Sequence, residues 1–320
     1  MRARTRFGRA VGALLALLVA VGALSGCAVT AAGNEDGRKV VGLAVANLQA
    51  DFFNQIRQSV QREADRRGVR LVIADAKGDP DTQVNQIQDL ITRDVDAIIY
   101  IPAGATAATV PVRNASRAGI PVVTIDRNPD GAPGDTFIAT DSEKAAQDLG
   151  GWVAREKGGQ ANIGVVQGQI GTTPEIARNA GFLRGIAPYP GVRVVASQAS
   201  KQWAQDEGFT LATDMLQANP RINAFFGRAD ALALGAAQAV RAAGRKDILV
   251  VGFDGDRAAL TAVQNGTLAA TIVQQTQKMG RLAVDSALRL DAGETLPAEQ
   301  LQPGLLATRD TVAPYIKEHP

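Results

Sequence analysis

The stretch Val122-Val123-Thr124-Ile125-Asp126-Arg127-Asn128 sets a carboxylate and a guanidinium side by side after four apolar or β-branched residues. An unbroken run of that kind reads as a parallel strand buried on both faces. Ligands of open α/β sheets bind beyond the carboxyl ends of such strands. The arrangement recurs along the chain. Phe52-Phe53 follow the first apolar run, Arg178 stands in the first turns of the helix after Thr172-Thr173, and Trp203 follows a strand ending near Gln198. Asp230 follows Phe226, Asp254 follows Phe253, and Gln274 follows Val273. If these strand ends face one crevice, it holds carboxylates that accept from hydroxyls and arginine forks that donate to vicinal oxygens. Its aromatic rings would cover apolar C–H faces. That set suits a polyhydroxylated ligand and requires neither nucleophile nor metal. Taken singly, each residue keeps an ordinary alternative: turn solvation for Asp126, Arg127 and Gln274, helix packing for Phe52 and Phe53, a surface indole for Trp203.

Catalytic provision is thin. The single histidine, His319, stands next to the last residue, and Cys27 is the single cysteine. The sequence therefore holds no Ser-His pairing with flanking support, no His/Cys metal cluster and no intramolecular disulfide. Residues 164–171 (GVVQGQIG) follow a strand and open a helix. They lack both the Gly-x-Gly-x-x-Gly spacing of a dinucleotide loop and the Lys-Ser/Thr of a phosphate loop, and read as a tight turn. No cofactor is expected, and no basic face points to nucleic acid.

The elements that position these residues alternate. Strands are expected at 39–47, 69–74, 97–101, 121–125, 162–166, 192–196, 224–226, 248–253 and 268–273, with a short last one at 305–308. Helices fall between them, the first capped by Asp51 and carrying Phe52, Ile56, Val60 and Ala64 at near four-residue spacing. Strand–helix alternation of this kind means βαβ units with right-handed crossovers. The fold class is therefore α/β, with two doubly wound Rossmann-like lobes of parallel strands joined by a multi-strand hinge. Residues 39–140 plus about 275–303 form the N-terminal lobe, and 141–274 plus about 304–320 the C-terminal lobe. A weak internal repeat agrees: 68–72 (GVRLV) resembles 191–195 (GVRVV), and 96–99 (DAII) resembles 223–226 (NAFF).

The 320 residues are 46% hydrophobic and 21% charged, which suits about two globular domains. The formal charge of +2 is carried by Arg2, Arg4, Arg6 and Arg9, and the remainder is net negative. Those arginines precede an apolar run at 11–24 and then Leu24-Ser25-Gly26-Cys27. The order is that of a secretory signal, and the run is shorter than the roughly 20 residues that span a bilayer. Small residues before a cysteine resemble a bacterial lipobox, in which that cysteine becomes an acylated N-terminus. Residues 1–26 are thus read as a lipoprotein signal, Cys27 as the lipidation site and 27–38 as a flexible tether.

The sequence resembles the bacterial ribose-binding-protein family, periplasmic binding proteins of the type I fold. The resemblance runs from Lys39 to about Thr311, through 46–53 (ANLQADFF), 120–127 (IPVVTIDR), 171–182 (GTTPEIARNAGF), 230–237 (DALALGAA), 250–255 (VVGFDG) and 268–274 (LAATIVQ). It implies that Phe52 and Phe53 stack on a sugar and that Asp126 and Arg127 are the family's Asp-Arg pair. It makes Arg178 and Asp254 the second lobe's arginine and acid, Gln274 a glutamine at a crossing between lobes, and Trp203 the aromatic residue on the opposite face. Asp230 joins the candidate set as a strand-end carboxylate. The sequence departs at Ala46, where the family carries a small polar residue, and at Ala50 and Ala229, where it carries asparagines. Hydroxyls left unpaired there would cost about 1–3 kcal/mol each. A sugar alcohol, deoxysugar, cyclitol or other monosaccharide therefore fits as well as ribose.

The resulting expectation is a monomeric, lipid-anchored, extracytoplasmic solute-binding protein of an ABC importer. It would close over a sugar or polyol by hinge bending and deliver it to a permease. A sensor subunit presenting ligand to a membrane receptor would share these features. A regulator of the same fold would begin with a DNA-binding helix-turn-helix, and an enzyme would need a provisioned active site.

Overall fold

The computed structural model describes residues 37–105 and 107–318. Cys27, the expected signal, most of the expected tether and His319 lie outside these residues. In chain order the elements are β1 (Val40–Val45), α1 (Asp51–Arg67), β2 (Arg70–Asp75), α2 (Pro80–Thr92), β3 (Ala97–Tyr100), α3 (Thr109–Arg117), β4 (Val122–Ile125) and β5 (Thr136–Thr140). There follow α4 (Ser142–Glu156), β6 (Gln160–Gln167), α5 (Thr173–Ile186), β7 (Gly191–Ala199), α6 (Gln205–Ala218), β8 (Ala224–Gly227), α7 (Asp230–Ala242), β9 (Leu249–Asp254), α8 (Arg257–Asn265) and β10 (Ala270–Val273). The last elements are α9 (Thr276–Asp291), β11 (Glu299–Gln302), β12 (Leu305–Thr308) and α10 (Ala313–Glu318).

The strands form two six-stranded sheets, ordered β11-β5-β4-β3-β1-β2 and β12-β10-β9-β8-β6-β7. Pairing is parallel except where β12 runs against β10. The protein is thus a two-lobed α/β fold. Every residue of β1 is buried, as its unbroken apolar run requires of a strand covered on both faces. Phe52, Ile56, Val60 and Ala64 of α1 share one core with Met279, Ala283, Val284 and Ala287 of α9, so α9 belongs to the first lobe. The chain accordingly passes between the lobes after β5, after β10 and between β11 and β12.

The internal repeat has a physical counterpart. Asp96 accepts the N–H of Val40, the first residue of β1, at 2.7 Å, and Asn223 accepts the Asn162 N–H at 2.9 Å within β6. In each lobe a side chain just before one strand pins the strand beside it.

Several local expectations change. Asp51 does not cap α1: Ala50 occupies that position without a side-chain bond, and Asp51 stands in the first turn, accepting from Gln55 at 3.2 Å. Asp79 and Asp141 do cap, accepting from Thr82 and Lys144. Strands β5 and β11 and helices α8 and α10 are additions. β11 reads Glu-Gln-Leu-Gln and lies at a sheet edge, so it carries no apolar run to betray it.

Candidate functional site

A cavity of about 400 Å³ lies between the lobes, beyond the carboxyl ends of both sheets. The first lobe lines it with Asn47, Gln49, Ala50, Asp51, Phe52, Phe53, Asp126 and Arg127. The second contributes Pro174, Arg178, the segment Gln202–Gln205, Ala229, Ala231, Leu234, Asp254, Asp256 and Ala258. Seven residues singled out from sequence therefore meet here: Phe52, Phe53, Asp126, Arg127, Arg178, Trp203 and Asp254.

Backbone strain concentrates on three of them. Asp126 (φ 63°), Trp203 (φ 60°) and Asp254 (φ 145°) all have positive φ. A short polar side chain tolerates the left-handed region, but for an indole it is an outlier held by its surroundings. Those surroundings are visible. The Trp203 backbone N–H donates to Ser200 Oγ, and the indole covers Gly168, where a Cβ would fall inside the ring. The glycine-rich turn thus serves as a seat for Trp203.

Both arginines are held in place and each faces an acid. Arg127 Nη1 donates to the carbonyls of Pro102 and Ala103 at 2.9 and 3.1 Å. Its Nε lies 3.6 Å from Asp126 Oδ2, and its guanidinium centre lies 5.3 Å from the Phe53 ring. Arg178 stacks 3.9 Å from the Phe253 ring centroid, lies 3.4 Å from Asp254 and donates to the Arg228 carbonyl. Arg228 is in turn paired with Glu175, a buried ion pair that the sequence did not flag. The buried Nε atoms of Arg127 and Arg178 and the Nε1 of Trp203 have no hydrogen-bond partner among the described residues. Such orphans are rare in interiors and here are three donors on cavity-lining residues.

Two candidates do not line the cavity. Asp230 is fully buried, and its carboxylate accepts from the N–H groups of Gly255 and Asp256 and from Thr271 Oγ1. It fixes the turn that carries Asp254 and Asp256. Gln274 is also fully buried; it donates to Asp254 Oδ1 at 2.7 Å and accepts from Thr140 Oγ1 at 2.7 Å. Gln274 therefore orients Asp254 and ties it to the end of β5. Strand-end position alone does not distinguish a side chain aimed into the crevice from one aimed back at the sheet. Of the three alanine departures, Ala50 and Ala229 face the cavity, while Ala46 is buried in the first lobe's core.

The polar liners Asn47, Gln49, Asp51, Gln202, Gln205 and Asp256 are additions. Burial pushes Asp254 up to about 7 against the pull of Arg178, and Asp230 up to about 6 against its hydrogen bonds. Burial likewise raises Asp126, opposed by Arg127 and Arg178. Among the described residues no group of His, Cys, Asp and Glu could hold a metal ion, and no helix is long and apolar enough to cross a membrane. What the cavity offers is acceptors, forked donors and ring faces around a compact space.

A family model described as a periplasmic binding protein domain matches residues 41–295. The ribose import binding protein RbsB of Bacillus subtilis (strain 168) is 35% identical over 247 residues, 77% of this chain and 80% of that protein. The RbsB of Escherichia coli (strain K12) is 33% identical over 285 residues, 89% of this chain and 95% of that protein. An ABC transporter solute binding protein from Bacillus halodurans C-125, solved with bound myo-inositol, superposes with a TM-score of 0.83 at 29% identity, covering 88% of this chain and 99% of that one. With this fold, an interlobe cavity and these relatives, the chain belongs to the periplasmic binding protein family.

Proposed function

We propose that the protein is the solute-binding component of an ABC importer, capturing a monosaccharide or related polyol between its lobes and delivering it to a membrane permease. It acts outside the cytoplasm, as a monomer tethered by a lipid on Cys27. It catalyses no reaction. The observation that carries the ligand class is the cavity itself: two buried guanidiniums with unpartnered Nε atoms, each beside a carboxylate, and aromatic rings from both lobes. The names of its relatives, a ribose import protein and a protein solved with myo-inositol, support the same class.

Phe52, Phe53 and Trp203 are read as the ring faces, and Asp126, Arg127, Arg178 and Asp254 as the groups that bind hydroxyls. Gln274 and Asp230 support Asp254 from behind. Ala50 and Ala229 remove hydrogen-bonding groups from the wall, which disfavours ribose itself.

A thermal-shift screen against pentoses, hexoses, tetritols, pentitols and inositols tests the reading. A ligand at about 100 times its Kd adds roughly 2.7 kcal/mol of stability. Asp126→Ala and Arg178→Ala should abolish the shift. A panel without any shift, or a shift that survives both substitutions, would contradict it.

A further inference from the structure

Two cavity-lining carboxylates lack the cation that the other two possess. Asp126 has Arg127 at 3.6 Å and Asp254 has Arg178 at 3.4 Å, and among the described residues these arginines are the only cationic side chains lining the cavity. Asp51 lines it from the first lobe and Asp256 from the second. The cavity therefore has two more acids than bases.

Asp256 is placed for something other than its own helix. It occupies the N-cap of α8, where an aspartate normally accepts from the first turn, yet its side chain makes no capping bond. Its Oδ1 is buried and has no hydrogen-bond partner among the described residues. Its backbone N–H is fixed by Asp230 at 2.8 Å, so the side chain is held in the cavity wall by the same turn that places Asp254. Burial, and then repulsion from Asp254, Asp230 and Asp51, push its carboxyl well up. Asp51, by contrast, is solvent-exposed at the cavity rim, with a Gln55 amide on one oxygen.

A neutral polyol meets Asp256 with a hydroxyl and brings no charge to stabilise its ionised form. A protonated amine supplies up to three donors and a positive charge, and charge-assisted bonds to a carboxylate are about twice as strong as neutral ones. Asp51 lines the cavity from the lobe opposite Asp254 and Asp256, an approach that like charge opposes and an intervening cation favours.

We infer that the ligand is an amine-bearing polyol, an aminocyclitol, amino sugar or amino alditol, whose ammonium group sits against Asp256 on the side facing Asp51. This rests on the proposed function and narrows it. The hydroxyl-bearing remainder of the ligand lies toward Arg127 and Arg178, and the ammonium end lies away from them.

Calorimetric titration with matched pairs tests the inference: D-glucosamine against D-glucose, 1-amino-1-deoxy-D-sorbitol against D-sorbitol, and scyllo-inosamine against scyllo-inositol, all near neutral pH. In at least one pair the amine should bind about tenfold or more tightly than its hydroxyl counterpart. Asp256→Asn, which keeps the side chain's shape, should bring that ratio close to one, and Asp51→Asn should lower it. Neutral polyols that bind as tightly as their amines would overturn the inference and leave the proposed function standing. A panel in which neither kind binds would overturn both. An amine preference unchanged in both variants would overturn the assignment to Asp256 and Asp51.

Discussion

Asn128 in the first lobe and Thr173 in the second exchange two hydrogen bonds across the cleft. The Asn128 N–H donates to Thr173 Oγ1 at 2.9 Å, and the same hydroxyl donates to the Asn128 carbonyl at 3.1 Å. Asn128 directly follows Arg127, and Thr173 opens the helix that carries Arg178. The two arginines are thus brought to one cavity by a latch that lies outside its lining.

Removing that latch should weaken binding through closure alone. Thr173→Val keeps the side chain's shape and deletes both bonds. At about 1 kcal/mol net for each, Kd should rise roughly 30-fold. Small-angle scattering of the ligand-saturated variant should show a larger radius of gyration than wild type. An unchanged Kd would mean that the bonds form without contributing to closure.

The seat beneath Trp203 makes a second prediction. Gly168→Ala places a methyl group where the indole lies. The ring must then shift, and the cavity it lines changes shape. Ligand affinity should fall about tenfold or more while the domain remains folded, because the glycine lies in a turn and not in a packed strand. The emission of Trp203, separated from that of Trp152 with a Trp152→Phe background, should move in the ligand-free variant. Wild-type affinity would show that the ring has another resting place.

The acids around the cavity set a pH dependence. In the unfolded chain Asp254 and Asp230 lose their protons near the ordinary value of 3.8, whereas the folded domain holds them to about 7 and about 6. Between those limits the native state binds more protons, so stability falls as pH rises and levels off above about 7. Glu63 works in the opposite sense, since hydrogen bonds from Arg66 and Arg67 hold it at about 2, but its contribution is lost only below the ordinary carboxylate range. Ligand-free protein should therefore melt several degrees higher near pH 5 than above pH 7, and Asp254→Asn should flatten the profile. A melting temperature that climbs over this interval would contradict the raised carboxyls.

The proposed anchor is tested separately. Cys27→Ser should release the protein from cell membranes into the extracytoplasmic or culture fraction, and metabolic labelling with a fatty acid should disappear with it. A variant that stays with the membrane would be held by something other than lipid on that cysteine.

The strand-end residues were legible because a buried parallel strand announces itself as an apolar run, and the residues just past its carboxyl end stand where an open sheet holds its ligands. Asp126, Arg127 and Asp254 could be read in that way, and Arg178 as a cation in the first turns of the helix that follows β6. The same logic also selected Asp230 and Gln274, whose side chains turn back to fix a loop and a neighbour instead of lining the cavity. It missed Asp256 because α8 was not anticipated, although its aspartate start and glycine stop at Gly266 were both present. Asp51 was read as a cap when it stands one residue inside the helix at the cavity rim. The positive φ of Trp203 has no signature in residue type, since tertiary packing imposes it. The Arg228–Glu175 pair was invisible for a related reason: partners 53 residues apart meet only once the fold sets the first turn of α5 beside the residue that follows β8.

The central claim, that a polyol is gripped between the two arginine–carboxylate pairs, is tested most directly by a crystal structure of the protein with the tightest-binding member of the panel. The account predicts one ligand in the interlobe cavity, with its oxygens within hydrogen-bond distance of the guanidiniums of Arg127 and Arg178 and of Asp126 or Asp254. A ligand bound elsewhere, or one in the cavity that touches neither arginine, would contradict it.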